Sequence, residues 1–152
     1  MKILVIHGPN LNLLGRREPD IYGTRTLFEL DDEISAHARA VGVEIVTFQS
    51  NHEGAIIDRI QAAGGVGGGT AQTAADAIVI NPGAYTHTSL AIADAIRGTG
   101  VPTVEVHLSD IHARGEFRSR SLVADACVAQ IAGLGFESYL RGIDAAIEVL
   151  KS

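Results

Sequence analysis

Four short runs of the chain are nearly continuous in Val, Ile and Leu: KILVI, VEIVTF, DAIVIN and PTVEVH, centred on residues 5, 45, 79 and 105. Runs of this kind suit strands covered on both faces, which is the condition of a parallel sheet. Between them the apolar residues recur every three to four positions, as in TLFELDDEISAHARAVG and TSLAIADAIRGTG, which is helical spacing. The pattern therefore predicts alternating strands and helices, an α/β chain with a parallel sheet. A fifth strand is expected near residues 126–132, ahead of a terminal helix over SYLRGIDAAIEVLK, although ADACVAQIAGLG also fits a helix.

Local signals punctuate this order. Thr26, with Glu29 three residues on, fits a capping box at the start of the first long helix, and Gly42 fits its stop. GGVGGGT, residues 64–70, reads as a mobile surface connection between the second helix and the third strand. It lacks the Lys-Ser or Lys-Thr ending of a phosphate-binding loop. No repeat or domain boundary interrupts residues 1–152, so a single domain is expected, and at this length roughly two-thirds of the unfolded surface can be buried.

Composition narrows the classes. With 46% hydrophobic and 20% charged residues the chain reads as soluble and globular, and no apolar stretch approaches the roughly 18 residues of a membrane span. A net charge of -6 argues against a nucleic-acid surface, which needs a basic stripe. MKILVIHGPN reads as a strand running into a turn rather than a signal sequence, so the cytoplasm is the expected compartment. Cys127, the single cysteine, lies in an apolar stretch and reads as a small buried side chain.

Three polar loops follow the first, third and fourth strands, and in an open parallel sheet such loops meet outside the strands' carboxyl ends. The fourth strand ends VEVH, so alternation puts Glu105 and His107 on one face, where an anion beside an imidazole favours the imidazolium of a general acid. A purely structural His–Glu pair has the same spacing. The first loop, GPNLNLLGRREPDIYG, holds Arg17 and Tyr22. A guanidinium about 4 Å from a phenol, at an effective dielectric of about 20, favours phenolate by up to about 4 kcal/mol, roughly 3 pKa units. Tyr22 is then a usable base if Arg17 turns inward, whereas an exposed turn with both arginines solvated fits the same residues. In NPGAYTHTS, Asn81 can hold a water or a carbonyl oxygen, and Thr88 or Ser89 can cap the helix that follows. HARGEFRSRS adds Arg114, Arg118 and Arg120, each able to clamp a carboxylate.

A metal centre on Glu105, His87, His107 and His112 is a rival reading, but neither paired histidines at helical spacing nor clustered cysteines support it. Lys2 and Lys151 are the only lysines and stand at the chain ends, which disfavours a Schiff base.

Together GPNLNLLGRREPDIYG, INPGAYTHTSLAIADA, VEVHLSDIHARGEFRSRS and GLGFESYLRGIDA resemble the type II 3-dehydroquinate dehydratases over nearly the whole chain. The resemblance implies a flavodoxin-like three-layer fold with a five-stranded parallel sheet, assembled as a dodecamer from trimers. It implies loss of water from 3-dehydroquinate to give 3-dehydroshikimate through an enolate, in shikimate or quinate metabolism, with neither cofactor nor metal. By motif, Tyr22 resembles the base, Arg17 its activator, His107 the acid and Glu105 the residue orienting it. Asn81 and Asn10 resemble the holders of a water at the enolate. His87, the backbone of Leu108 and Ser109, and Arg118 resemble substrate-binding positions, and Asp94 resembles a residue reaching a neighbouring subunit's site.

The chain departs from the family pattern in three places: His7 stands where asparagine is usual, Asp110 replaces another asparagine, and the glycine-rich connection is longer. The first two bear on hydrogen bonds near the crevice and the third on packing between subunits. Two alternatives remain: a flavodoxin-like flavin- or ligand-binding module without catalysis, and a metal-dependent hydro-lyase.

Overall fold

Each of the four apolar runs forms a strand: β1 (Lys2–His7), β2 (Glu44–Gln49), β3 (Ala77–Asn81) and β4 (Thr103–His107), with β5 (Ala129–Ala132) completing the sheet. The computed structural model describes residues 1–16, 19–113, 115 and 120–152, and for residues 21 and 22 the backbone alone. Arg17, Arg114 and Arg118, and the side chain of Tyr22, therefore lie outside the described residues. The helices are a single turn α1 (Pro19–Tyr22), then α2 (Leu27–Val41), α3 (Glu53–Ala63), α4 (Leu90–Thr99) and α5 (Glu137–Lys151).

All strand pairs are parallel, in the order β2-β1-β3-β4-β5. This is the flavodoxin-like order, in which the chain runs outward from β1 to β2 and then crosses to β3. Its switch point, and hence its crevice, lies between the carboxyl ends of β1 and β3.

Alternation along the strands sorts the core into two layers. Ile3, Val5, Val79, Val104 and Val106 meet Leu30 and Ile34 of α2 and Tyr139 and Ile143 of α5. Leu4, Ile6, Ile78 and Ile80 meet Ile56 and Ile60 of α3 and Ile92 and Ile96 of α4. Each fully buried aliphatic side chain contributes about 1.5–3 kcal/mol. α5 crosses the sheet closest at Gly142, where a Cβ would stand 2.6 Å from Cγ1 of Val106 and 3.2 Å from Cγ1 of Val79. Only glycine permits that approach.

The predicted helix ends are present, although the capping box is met only on the Thr26 side, the Glu29 side chain turning to Arg25 instead. Thr26 Oγ1 accepts the Glu29 N–H at 3.2 Å, while the Glu29 carboxylate lies 3.7 Å from the Arg25 guanidinium. Gly42 closes α2 in the left-handed conformation at φ 77°. Of Thr88 and Ser89, the cap of α4 is Ser89, whose Oγ accepts the Ile92 N–H at 2.9 Å.

Two expectations are refined. The fifth strand starts at Ala129 rather than near residue 126, because residues 124–126 make a 3-10 turn and pairing with β4 begins where Ala129 meets Val104. The glycine-rich connection leads into an anchored segment: Arg59 donates to the Thr73 carbonyl at 2.8 Å and Lys2 Nζ to the Gln72 carbonyl at 2.6 Å.

Candidate active site

The carboxyl ends of β1 and β3 meet at backbone contact. His7 pairs with Asn81 in the register, and the next N–H, that of Gly8, donates to the Asn81 carbonyl at 2.8 Å. A Cβ on Gly8 would fall 2.6 Å from the Pro82 carbonyl, so this strand end accepts only glycine. The approach holds the loop after β1 against the loop after β3.

On the side of the sheet covered by α2 and α5, the buried His7 ring lies between two partners. Nδ1 is 3.0 Å from the Tyr139 hydroxyl and Nε2 is 2.7 Å from Asp31 Oδ1. With a neutral ring, Nε2–H donates to the carboxylate and Nδ1 accepts the phenolic proton. Burial pushes the Tyr139 phenol up, and a hydrogen bond from Asn81 opposes this only in part. Asn81 is itself buried and its Oδ1 accepts the Gly83 N–H at 3.0 Å. The amide of Asn81 is thereby oriented, with its NH2 as the donating end. His7 is thus integrated into a chain of side chains running from Asp31 to Asn81.

On the opposite side lies Glu105, fully buried at 0% exposure. Thr86 and Ser121 donate their hydroxyls to it, Ser121 Oγ lying 2.8 Å from Oε1 and 3.0 Å from Oε2, and the Gln130 amide N–H donates to Oε2. Burial pushes the carboxyl up, but the adjacent His107 imidazole, with hydrogen bonds from Thr86 and Gln130, outweighs it and leaves Glu105 below the usual carboxylate range. It is a stable buried anion. His107 Nε2 stands 3.4 Å from Glu105 Oε2, close in charge yet off the alignment of a hydrogen bond, and among the described residues this buried nitrogen has no hydrogen-bond partner. Catalytic hydrogen bonds are often long before substrate arrives.

The other sequence-predicted residues fall as follows. His87 Nδ1 donates to the Arg120 carbonyl at 2.6 Å and the Leu122 N–H donates to the Thr86 carbonyl at 2.7 Å, so the loop after β3 is joined to the segment after β4. Leu108 is buried, its carbonyl taken by the Gly135 N–H at 3.0 Å, and Ser109 follows it, half-buried. Asn10 is exposed in the left-handed region at φ 69°, its N–H donating to Asn51 Oδ1 at 3.0 Å. Asp110 accepts the His112 N–H through Oδ1 at 3.0 Å, a turn that an asparagine oxygen serves equally.

Asp94 stands apart. It is 76% exposed on α4, beside Arg97 at 3.5 Å, and faces an open groove with Ile57 and Gln61 of α3. Within one chain it is not brought to the crevice. Val66 and Gly67 of the glycine-rich connection line the same groove. The Cys127 thiol, half-buried, is pushed up to about 12, chiefly by burial and further by Glu105, and stays protonated. Among the described residues no group of three His, Cys, Asp or Glu side chains is placed to share a metal ion, and no helix is long and apolar enough to cross a membrane.

Sequence reading missed Thr86, Ser121, Gln130, Tyr139 and Asp31. Gln130 left one signal, a polar residue inside the apolar alternation of VAQIA. The two hydroxyls left none.

Fold and site define a class: a doubly wound α/β domain of flavodoxin-like order, with an oriented amide at its β1/β3 switch point and a buried carboxylate–imidazole pair on the neighbouring strand β4. The chain belongs to the family described as Dehydroquinase class II, whose family model matches residues 1–147. It is 51% identical over 151 residues to the 3-dehydroquinate dehydratase of Geotalea daltonii, covering 99% of each chain. It is 54% identical over 142 residues to the catabolic 3-dehydroquinase 1 of Neosartorya fischeri, covering 93% of this chain and 89% of that one. The crystal structure of the type II dehydroquinase from Butyrivibrio crossotus matches with a TM-score of 0.85 at 46% identity, covering 100% of this chain and 98% of that one.

Proposed function

We propose that this chain removes water from 3-dehydroquinate to give 3-dehydroshikimate, a step of aromatic biosynthesis by the shikimate route, with Tyr22 as base and His107 as acid. Tyr22 phenolate takes the proton beside the ketone, and the electron pair left on carbon moves into an enolate. The pair then returns to expel the hydroxyl, which leaves as water with a proton from His107. Proton and hydroxide balance, and no redox partner is required.

The observation that carries this reading is the Glu105–His107 pair. A fully buried anion, fixed by hydroxyl and amide donors, stands 3.4 Å from an imidazole at the crevice edge, a suitable arrangement for an acid that must be reprotonated after each turnover. Tyr22 is supported by the fate of the other two tyrosines. The Tyr85 hydroxyl donates to the Asn51 carbonyl at 2.8 Å, and Tyr139 is sealed against His7 with its phenol pushed up. Asn81, its oxygen committed to Gly83, offers its NH2 toward a water or the enolate oxygen, and Asn10, on the loop after β1, is assigned to the same water.

Arg17 stabilises the phenolate. Arg118, His87, Ser109 and the Leu108 backbone hold the substrate's carboxylate and hydroxyls. Asp94 serves a neighbouring subunit's site in a dodecamer of trimers, a role consistent with its exposure and its absence from its own crevice.

A direct assay tests the reading. Enone absorbance should rise when 3-dehydroquinate is added, equally with and without a strong chelator, and Tyr22→Phe should abolish the rise while substrate still binds. Chelator-sensitive turnover would favour a metal-dependent hydro-lyase, and near-normal turnover in Tyr22→Phe would remove that residue from its role.

A further inference from the structure

On β5, Gln130 lies directly opposite Glu105 in the strand register, so their side chains share a face of the sheet. Its amide donates to Oε2 of Glu105, the same oxygen that faces His107 Nε2 at 3.4 Å. A carboxylate can only accept, so the nitrogen end of the Gln130 amide is the end turned toward it. The oxygen end is then fixed, and it sits 3.1 Å from Nε2 of His112, an exposed residue on the turn after β4. His112 must therefore carry its proton on Nε2, in either protonation state, and donate to Gln130. A directed line of hydrogen bonds runs from solvent at His112 through Gln130 to the buried carboxylate.

We propose that Gln130 is a positioning residue that tempers the Glu105–His107 pair, holding Oε2 and drawing part of its charge away from the imidazole, and that His112 keeps the Gln130 amide in the required orientation. The physical basis is competition for one oxygen. A donor on Oε2 spreads the carboxylate charge and occupies a lone pair that His107 would otherwise take in an aligned bond. With Gln130 in place, Oε2 attracts the imidazole without holding it in an aligned bond. Thr86 and Ser121 keep Glu105 ionised from the other side. Ionisable groups around the pair include His112, Asp110, whose carboxylate is turned to the His112 backbone N–H, Cys127, which is neutral and lies within the influence of Arg97, and His87 and Arg120, next in the chain to Thr86 and Ser121 and joined to each other.

The test is the titration of the His107 ring, followed by nitrogen-15 NMR in the ligand-free protein. Gln130→Leu, close in size but without a donor, should raise the His107 midpoint by about 0.5 unit or more. It should shift the alkaline limb of kcat upward by the same amount, with KM nearly unchanged. His112→Ala, a surface change that leaves the core intact, should move the midpoint in the same direction by less, and His112→Gln, which restores an N–H donor, should bring it back. An unmoved or lowered midpoint in Gln130→Leu, or in His112→Ala should Gln130→Leu not fold, would overturn the proposal. The kinetic arm rests on the dehydratase reading and the NMR arm does not: a shifted midpoint in a protein that leaves 3-dehydroquinate untouched would sink that reading and spare this one.

Discussion

Two buried polar networks flank the sheet, one on each face, and they place their charge at opposite ends. On the α3/α4 side the carboxylate of Glu105 is the innermost group, 0% exposed, and its connection to solvent runs outward through Gln130 to His112. On the α2/α5 side the carboxylate of Asp31 is the outermost group, 33% exposed, and the line runs inward through His7 and Tyr139 to the neutral amide of Asn81. A buried charge costs several kcal/mol to desolvate and is retained only when every lone pair is met, whereas a carboxylate at the surface costs little. In the proposed mechanism the first network therefore supplies an electrostatic field at the reacting edge. The second orients a dipole there.

That contrast is sharpest in the two histidines, both nearly buried at the ends of strands. His107→Ala should lower kcat by about 10²- to 10⁴-fold with KM changed only slightly, the loss expected for a general acid. His7→Asn, which keeps a polar side chain at the end of β1, should retain turnover within about tenfold. Comparable losses in the two variants, measured by steady-state kinetics at one pH, would mean that the networks do not divide the work in this way.

The pH dependence of stability separates the networks next. Glu105 is held below its ordinary range in the folded protein, so it contributes stability that is fully present above the unfolded value of about 4.3 and is lost as pH falls through the folded value. Denaturant unfolding followed from pH 6 to pH 3 should therefore show an acid-side loss, and Glu105→Gln should flatten it. An equally steep loss in that variant would place the responsible carboxylate elsewhere.

On the other face the effects should be smaller and graded along the line. Tyr139→Phe leaves His7 Nδ1 and Asn81 without the phenolic oxygen and should cost about 1–3 kcal/mol of stability. Asp31→Asn, at the solvent end, should cost no more than about 1 kcal/mol. Thermal or urea unfolding of the two variants side by side gives the ranking, and an Asp31 effect larger than that of Tyr139 would reverse the sense in which the network is built.

Much of this molecule was legible from local pattern. The two periods, near-continuous apolar runs and three-to-four-residue spacing, mark four strands and the long helices because each depends only on neighbours within a few residues. The spacing of Glu105 and His107 is local in the same way, since two positions along a strand return to one face whatever the fold. Thr26, Gly42 and Ser89 are legible for a like reason, a cap being a contact between residues three or four apart.

What only the tertiary structure decided is who stands across from whom. Gln130 reaches Glu105 across 25 residues because β5 pairs with β4 in one register, and a slip of one position would turn it to the other face. Tyr139 meets His7 across 132 residues because α5 crosses the sheet at Gly142, where a side chain would not fit. A sequence states which groups can accept or donate a proton. Register and packing choose their partners, because those contacts join residues that no local period connects.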